Sequence, residues 1–201
     1  MTFNFYDWDD TLVLSRQAIF LSYQRAIAET ADHKLDWDEY NTSLYHNANA
    51  YLAELGCDNL AIKKIKDLKN LYYTTEYWKE IKILRKEFPK DETHLIITNT
   101  SSKVVENLLS KLEMPDVFTH IIGSDIYEGV NRKPAPDLYN FAFSKIRNKF
   151  NSEKDEVIIY EDTDWGMNAG ISFYEEHKSR IKNFMLIYRP LFLSGGNLAE
   201  N

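Results

Sequence analysis

Apolar and polar positions along the chain repeat with two periods. Short, near-continuous apolar runs stand at TFNFY (2–6), HLIIT (94–98), THIIGS (119–124), VIIY (157–160) and FMLIY (184–188). Their length and β-branched content predict strands covered on both faces. Longer stretches with apolar residues three and four apart lie between them. Val104, Val105, Leu108, Leu109 and Leu112 predict one helix, and residues 137–147, after the breaker KPAP, predict another. Strands alternating with helices imply an α/β fold, a Rossmann-like parallel sheet core with helices on both faces.

The interval between the first two strands is too long for a simple crossover. Residues 16–30 form one helical pattern. In 37–55, Trp37, Tyr40, Leu44, Ala48, Tyr51, Leu52 and Leu55 keep i+3/i+4 steps, with Gly56 as a stop. Residues 60–72 and 76–88 supply two more, the last returning toward the sheet through Tyr77, Ile81, Leu84 and Phe88. This predicts a small helical domain inserted after the first strand, over 15–80, with the sheet domain built from 1–14 and 81–201.

Composition narrows the function classes. The 201 residues carry 24 Lys+Arg against 31 Asp+Glu, a net charge of −7, with no long basic run. That argues against binding nucleic-acid polymers, whose phosphates demand clustered cations. Cys57 is the single cysteine, which excludes an internal disulfide. The first residues lack the basic-then-apolar pattern of a signal peptide, and no apolar run reaches the ~20 residues of a membrane span. The expectation is a cytoplasmic protein that does not enter a membrane.

Candidate chemistry gathers at strand ends. The first strand runs into Asp7-Trp8-Asp9-Asp10-Thr11, the second into Thr98-Asn99, and VIIY into Glu161-Asp162-Thr163-Asp164. Ligands of parallel sheets bind at the carboxyl ends of the strands. Carboxylates converging there from distant segments form a hard-oxygen set suited to Mg²⁺, which offsets the repulsion among them. Lys133, in Arg132-Lys133-Pro134-Ala135-Pro136-Asp137, is a cation that prolines could aim at the same crevice. Asp7 and Asp9 fall on one side of an extended chain, ~7 Å apart. One could attack phosphorus while the other handles the leaving-group proton.

The order Asp-x-Asp-x-Thr, apolar-Thr-Asn, Lys-Pro-Ala-Pro-Asp, Glu-Asp-x-x-x-Gly resembles the haloacid dehalogenase superfamily. KPAPDLY and EDTDWGMNAG are similar to its β-phosphoglucomutase and phosphoglycolate-phosphatase branch. The resemblance implies that Asp7 is the nucleophile, forming an aspartyl-phosphate, and a metal ligand. It makes Asp9 the general acid/base, with its carbonyl on Mg²⁺. Thr98 and the Asn99 amide hold phosphoryl oxygens, Lys133 neutralises nucleophile and phosphate, and Asp162 binds the metal, with Glu161 beside it. The insertion becomes a cap that selects substrate, with His46, Asn47 and Asn49 as candidate substrate contacts. Two departures stand out: Asp10 occupies a position where many members have glycine, and Trp8 is large for its place.

The implied activity is Mg²⁺-dependent hydrolysis of a small phosphorylated metabolite, a sugar phosphate or similar compound, with a nucleoside monophosphate as a further candidate. A phosphomutase uses the same four motifs. A catalytically inactive binding protein on the same fold is the alternative of another class. Asp9 argues against a dehalogenase, whose members lack the second carboxylate. A receiver-type signalling domain places its acidic pair and phosphorylated Asp in another order. Lys63, Lys64, Lys66 and Lys69 read as a solvated helical face, and Trp8 and Trp165 as packing residues. The sequence does not specify the oligomeric state.

Overall fold

The computed structural model describes residues 1–189. The described chain divides into two compact units, one formed by 1–11, 88–102 and the chain from 117 onward, the other by 12–87 and 103–116.

The first unit is built on five strands: β1 (Thr2–Tyr6), β4 (Thr93–Ile97), β5 (Phe118–Ile122), β6 (Glu156–Glu161) and β7 (Asn183–Tyr188). All neighbours pair in parallel, in the order β5-β4-β1-β6-β7. Each coincides with one of the apolar runs to within a residue or two. Phe3 and Phe5, Leu95 and Ile97, Val157 and Ile159 alternate onto one face of the pleat. There they meet Leu138, Tyr139, Ala142, Phe143 and Ile146 of α6 (Asp137–Ile146) and Ala169 and Phe173 of α7 (Asp164–His177). α7 continues past Gly170 to His177, with Phe173 turned inward. On the other face, Tyr6 stacks on Tyr160 at 4.7 Å between centroids, and Phe88 packs edge-on against Tyr6, His94 and Phe118.

Buried His94 uses both ring nitrogens. Its Nε2–H donates to the Pro89 carbonyl at 2.9 Å, and Nδ1 accepts from the Tyr6 hydroxyl at 3.3 Å. Asn4 donates to Glu92 at 2.8 Å, so the irregular segment before β4 is tied to the sheet at two points.

The second unit contains β2 (Val13–Leu14), α1 (Arg16–Ala31), α2 (Trp37–Glu39), α3 (Ala48–Glu54), α4 (Asn59–Thr75), β3 (Lys82–Ile83) and most of α5 (Ser102–Lys111). Its core is rich in rings: Phe20, Tyr40, Tyr51 and Tyr72 with Ile27, Leu35, Leu52 and Ile65.

Two expectations are corrected here. The pattern over 37–55 is three pieces. A capping box at Asp36 and Glu39 starts α2, a π turn carries Tyr40–Leu44, and Asn47 breaks the run by capping α3, its side-chain oxygen accepting from Ala50 N at 3.1 Å. The helix over 76–88 does not form. Thr74 and Thr75 close α4 with hydroxyls turned back onto its carbonyls. Tyr77–Glu80 make one 3₁₀ turn, and Lys82–Ile83 then pair antiparallel with Val13–Leu14. β-Branched Ile81 and Ile83 favour the extended chain, and Pro89 disfavours helix at Phe88.

The lysine face is also not uniform. Lys63 and Lys64 are exposed, but Lys69 is buried, its ammonium 4.9 Å from the Tyr73 ring centroid and 5.6 Å from that of Tyr23. Among the described residues no helix is long and apolar enough to cross a membrane.

Candidate active site

The sheet places its polar residues where the chain leaves the strands. β1 ends at Tyr6, and the Asp7 amide donates to the Tyr160 carbonyl of β6 at 3.0 Å, extending the ladder by one bond. The chain then bends at Trp8, so the orientation of Asp7 and Asp9 follows from the bend and not from strand alternation. Asp10 has φ of 60°. This left-handed conformation is the reason glycine is common at its position, and aspartate is among the side chains that tolerate it. Trp8 is fully buried and Trp165 is 37% exposed, so the packing expectation fits the first ring better than the second.

At the carboxyl ends of β1 and β6 two carboxylates converge on one ammonium, and the end of β4 adds a backbone carbonyl. Lys133 Nζ donates to Asp7 Oδ1 at 2.7 Å, to Glu161 Oε1 at 2.5 Å and to the Ile97 carbonyl at 2.6 Å. All three of its protons are engaged, and Lys133, Asp7 and Glu161 are all buried. Burial alone would lower the lysine pKa, but Asp7 and Glu161 outweigh it and raise it to about 12. Lys133 itself is fixed from behind. The Asn99 side chain accepts from its backbone N–H at 2.9 Å and donates to its carbonyl at 3.2 Å. The Asn99 side chain therefore orients the lysine loop.

The charges do not balance. Asp7, Glu161 and Asp162 each offer a carboxylate oxygen within 4.8 Å of the others, against a single ammonium. Burial raises the Asp7 pKa well above the usual carboxylate range, with Glu161, Asp162 and Asp9 adding to the effect against the pull of Lys133. Burial, with Asp10 and Glu161 nearby, raises that of Asp162 to about 7. Ionised carboxylates held this close call for a further cation, and an all-oxygen donor set suits a hard divalent ion. Thr11 donates to Asp162 at 3.3 Å and steadies one member of the set.

Glu161 plays a different part from Asp162. Its Oε1 accepts from Tyr139 OH as well as from Lys133, and Tyr139 lies beneath the ammonium, 5.3 Å from ring centroid to Nζ. Its carboxyl also abuts Gly166. A methyl at that glycine would fall 2.5 Å from Oε1 and closer still to Oε2. The glycine of the Glu-Asp-x-x-x-Gly pattern is thus explained by the space Glu161 fills.

Thr98 is buried, and its Oγ1 accepts from Thr100 N at 3.1 Å, which leaves the hydroxyl proton to point elsewhere. Asp9 accepts from the Thr100 hydroxyl at 2.6 Å. The structure thus gathers Asp7, Asp9, Thr98, Asn99, Lys133 and Asp162 in the sheet unit. His46, Asn47 and Asn49 belong to the other unit. There Asn47 caps α3, Asn49 accepts from Lys66, and the His46 ring meets Tyr45 edge-on.

Sequence reasoning missed Thr100, Tyr139 and the structural part of Glu161. Tyr139 carried a signal in KPAPDLY, six residues after Lys133, but it is also a core position of α6. Thr100 has the residue type of an ordinary helix cap.

A model of the haloacid dehalogenase-like hydrolase family matches residues 5–174. A search of curated proteins finds no significant match. Among solved structures, CbbY from Rhodobacter sphaeroides in complex with phosphate is similar over 98% of this chain and 90% of its own, with 19% identity and a TM-score of 0.70. A CbbY variant from the same organism, in complex with xylulose-(1,5)bisphosphate, matches over 94% of this chain and 86% of its own, at 18% identity and a TM-score of 0.67. A putative phosphoglycolate phosphatase from Lactobacillus plantarum matches over 92% and 86%, at 16% identity and a TM-score of 0.65. With the family model spanning most of the chain and the acidic cluster seated at the strand ends, the chain belongs to the haloacid dehalogenase-like hydrolase family.

Proposed function

We propose that the protein is a phosphatase acting on a small phosphate monoester through an aspartyl-phosphate on Asp7. The observation that carries this reading is the buried ammonium of Lys133, shared between Asp7 and Glu161 in a cluster of excess negative charge. A carboxylate so placed can approach phosphorus while Lys133 lowers the repulsion between two anions. The similarity to structures holding phosphate and a sugar bisphosphate supports a phosphorylated metabolite as substrate.

In the first step an Asp7 oxygen forms a bond to phosphorus. The bond from phosphorus to the leaving oxygen breaks, and that oxygen takes a proton from Asp9. In the second step Asp9 takes a proton from water, the water oxygen bonds to phosphorus, and the Asp7 acyl-phosphate bond breaks to release phosphate. Thr98 Oγ1 and the Asn99 backbone amide receive phosphoryl oxygens, and Lys133 stays paired with them throughout. Asp7, Asp162 and the Asp9 carbonyl would hold Mg²⁺, which when bound supplies charge neutralisation at the phosphoryl oxygens. We assign substrate choice to the helical unit, with His46, Asn47 and Asn49 as its candidate contacts.

The test is Asp7→Asn, an amide of nearly equal volume that is a poor nucleophile. Phosphate release from a panel of sugar phosphates, phosphoglycolate and nucleoside monophosphates in Mg²⁺ is expected to fall by about 10³-fold or more. Activity near that of the wild type in a folded Asp7→Asn protein would rule out the nucleophile and the reading with it.

A further inference from the structure

The segment Thr98–Ser102 is anchored along its length by hydrogen bonds. Thr98 Oγ1 accepts from Thr100 N at 3.1 Å, and the Thr100 carbonyl accepts from Ser124 N at 3.2 Å. Asp125 clamps the far end, accepting from Ser101 Oγ at 2.6 Å, from Ser102 N at 2.7 Å and from Ser102 Oγ at 2.8 Å. Gly123 lies directly against the loop. A Cβ there would sit 2.5 Å from the Thr100 carbonyl oxygen and 2.8 Å from the Ser101 carbonyl carbon, so only glycine permits the approach. Thr100 is fixed before, behind and beneath, and from this mount its hydroxyl donates to Asp9 Oδ2 at 2.6 Å.

We infer that Thr100 is a positioning residue: from the anchored Thr98–Ser102 loop it holds the Asp9 carboxyl in the orientation from which it exchanges the proton with the leaving group and with water. This rests on the phosphatase reading above. A hydroxyl has one proton to donate. That proton goes to Asp9 Oδ2, so the carboxyl is oriented in part by a group that does not move with the substrate. Geometry of this kind determines how much of the gain from general acid–base catalysis is realised. The residue differs in kind from Thr98, which faces the phosphoryl group, and from Asn99, which orients Lys133.

The experiment uses the full chain with Mg²⁺, the near-isosteric Thr100→Val and the conservative Thr100→Ser. The substrates are glycerol phosphate, whose alkoxide needs a proton to leave, and p-nitrophenyl phosphate, whose nitrophenolate does not. Thr100→Val is expected to lose about 10-fold or more in kcat/KM on glycerol phosphate beyond any loss on p-nitrophenyl phosphate, and Thr100→Ser to regain most of it. With p-nitrophenyl phosphate, kcat/KM stops at phosphoenzyme formation, whereas kcat includes its hydrolysis, which needs Asp9 as base. Thr100→Val is therefore expected to lower kcat more than kcat/KM and to show a burst of nitrophenolate. This measurement stands even if glycerol phosphate is a poor substrate. Equal losses in every parameter, or no loss in any, would overturn the inference while the wild-type enzyme still turns over. A wild-type chain that releases phosphate from neither ester nor any of the panel would instead overturn the phosphatase reading, and the role of Thr100 with it.

Discussion

Gly166→Ala adds one methyl group to α7, and its cost can be worked from the contacts around it. The new carbon would lie 2.5 Å from Glu161 Oε1 and nearer to Oε2, against the 3.4 Å or more of ordinary contact. The carboxyl must retreat by about 1 Å or more to relieve this. It is buried and bound to Lys133 at 2.5 Å and to Tyr139, so a shift of that size breaks the lysine contact. Breaking a buried ion pair while both charges remain costs about 3–5 kcal/mol. Alanine returns about 1 kcal/mol over glycine in a helix. The net loss is then roughly 2–4 kcal/mol. At about 2–4 °C per kcal/mol for a chain of this size, the melting temperature should fall by roughly 5–15 °C.

Gly170→Ala is the control on the same helix. Its methyl would meet the Leu186 Cδ1 at 3.1 Å and the Ile159 Cδ1 at 3.5 Å, ends of side chains that can yield. Helix propensity gained and crowding incurred then nearly cancel, within about 1 kcal/mol. Thermal melts of both variants decide the matter, with phosphate release as a second readout because Lys133 loses its alignment only in the first. In a Glu161→Asp background, which draws the carboxyl back by about one 1.5 Å bond, the Gly166→Ala penalty should shrink. Equal melts for the two glycine variants, or an unchanged penalty with Glu161→Asp, would show that Gly166 is not conserving space for Glu161.

Two further outcomes follow from the same geometry. The Asp162 carboxyl has a pKa of about 7 in the ion-free fold, above its unfolded value of about 3.9. Its contribution to stability is therefore full below that unfolded value and is lost as pH rises toward 7. Mg²⁺ needs the carboxylate, so the rise in melting temperature on adding Mg²⁺ should be larger at pH 8 than at pH 5; an equal rise at pH 5 and 8, or none, contradicts the ligand assignment. Asn47→Ala should cost about 1 kcal/mol through loss of the α3 cap, and Asn47→Ser should keep most of it. A melt unmoved by Asn47→Ala would show that the cap bond contributes nothing.

What could be read from the sequence depended on how local the signal was. The five strands were legible because a strand buried on both faces must be almost wholly apolar, and the runs around Phe5, Ile96, Ile121, Ile159 and Leu186 have few other uses. Asp7, Thr98, Asn99 and Asp162 were legible as candidates because each stands just past the end of such a strand. The helical unit was read less well. Tyr77, Ile81, Leu84 and Phe88 keep helical spacing, but their partners are set by tertiary structure: Phe88 packs with Tyr6, His94 and Phe118, and the neighbouring Lys82–Ile83 pairs with Val13–Leu14. Periodicity reports which residues seek burial, and it does not report which surface buries them.

The same distinction explains the site. Asp7, Lys133 and Asp162 announce themselves by charge at positions where charge is costly. Thr100, Tyr139 and Gly166 act only through another residue: Thr100 on Asp9, Tyr139 on Glu161, and Gly166 by leaving room for Glu161. None has a property that is unusual at its own position, since threonine caps helices, tyrosine fills cores and glycine is small. Their parts exist only once the fold brings together segments far apart in the chain: Thr100 lies 91 residues from Asp9, and Tyr139 lies 22 from Glu161. Glu161 joins the two groups. It is a buried charge like Asp162, one residue away, yet Lys133 and Tyr139 both donate to its Oε1 and its carboxyl abuts Gly166. It sets where the ammonium sits, while Asp162 accepts from the Thr11 hydroxyl. Two adjacent acidic residues that look equivalent in sequence are thus given different surroundings, Glu161 held against the lysine by one hydroxyl and one missing methyl, Asp162 on the Thr11 hydroxyl.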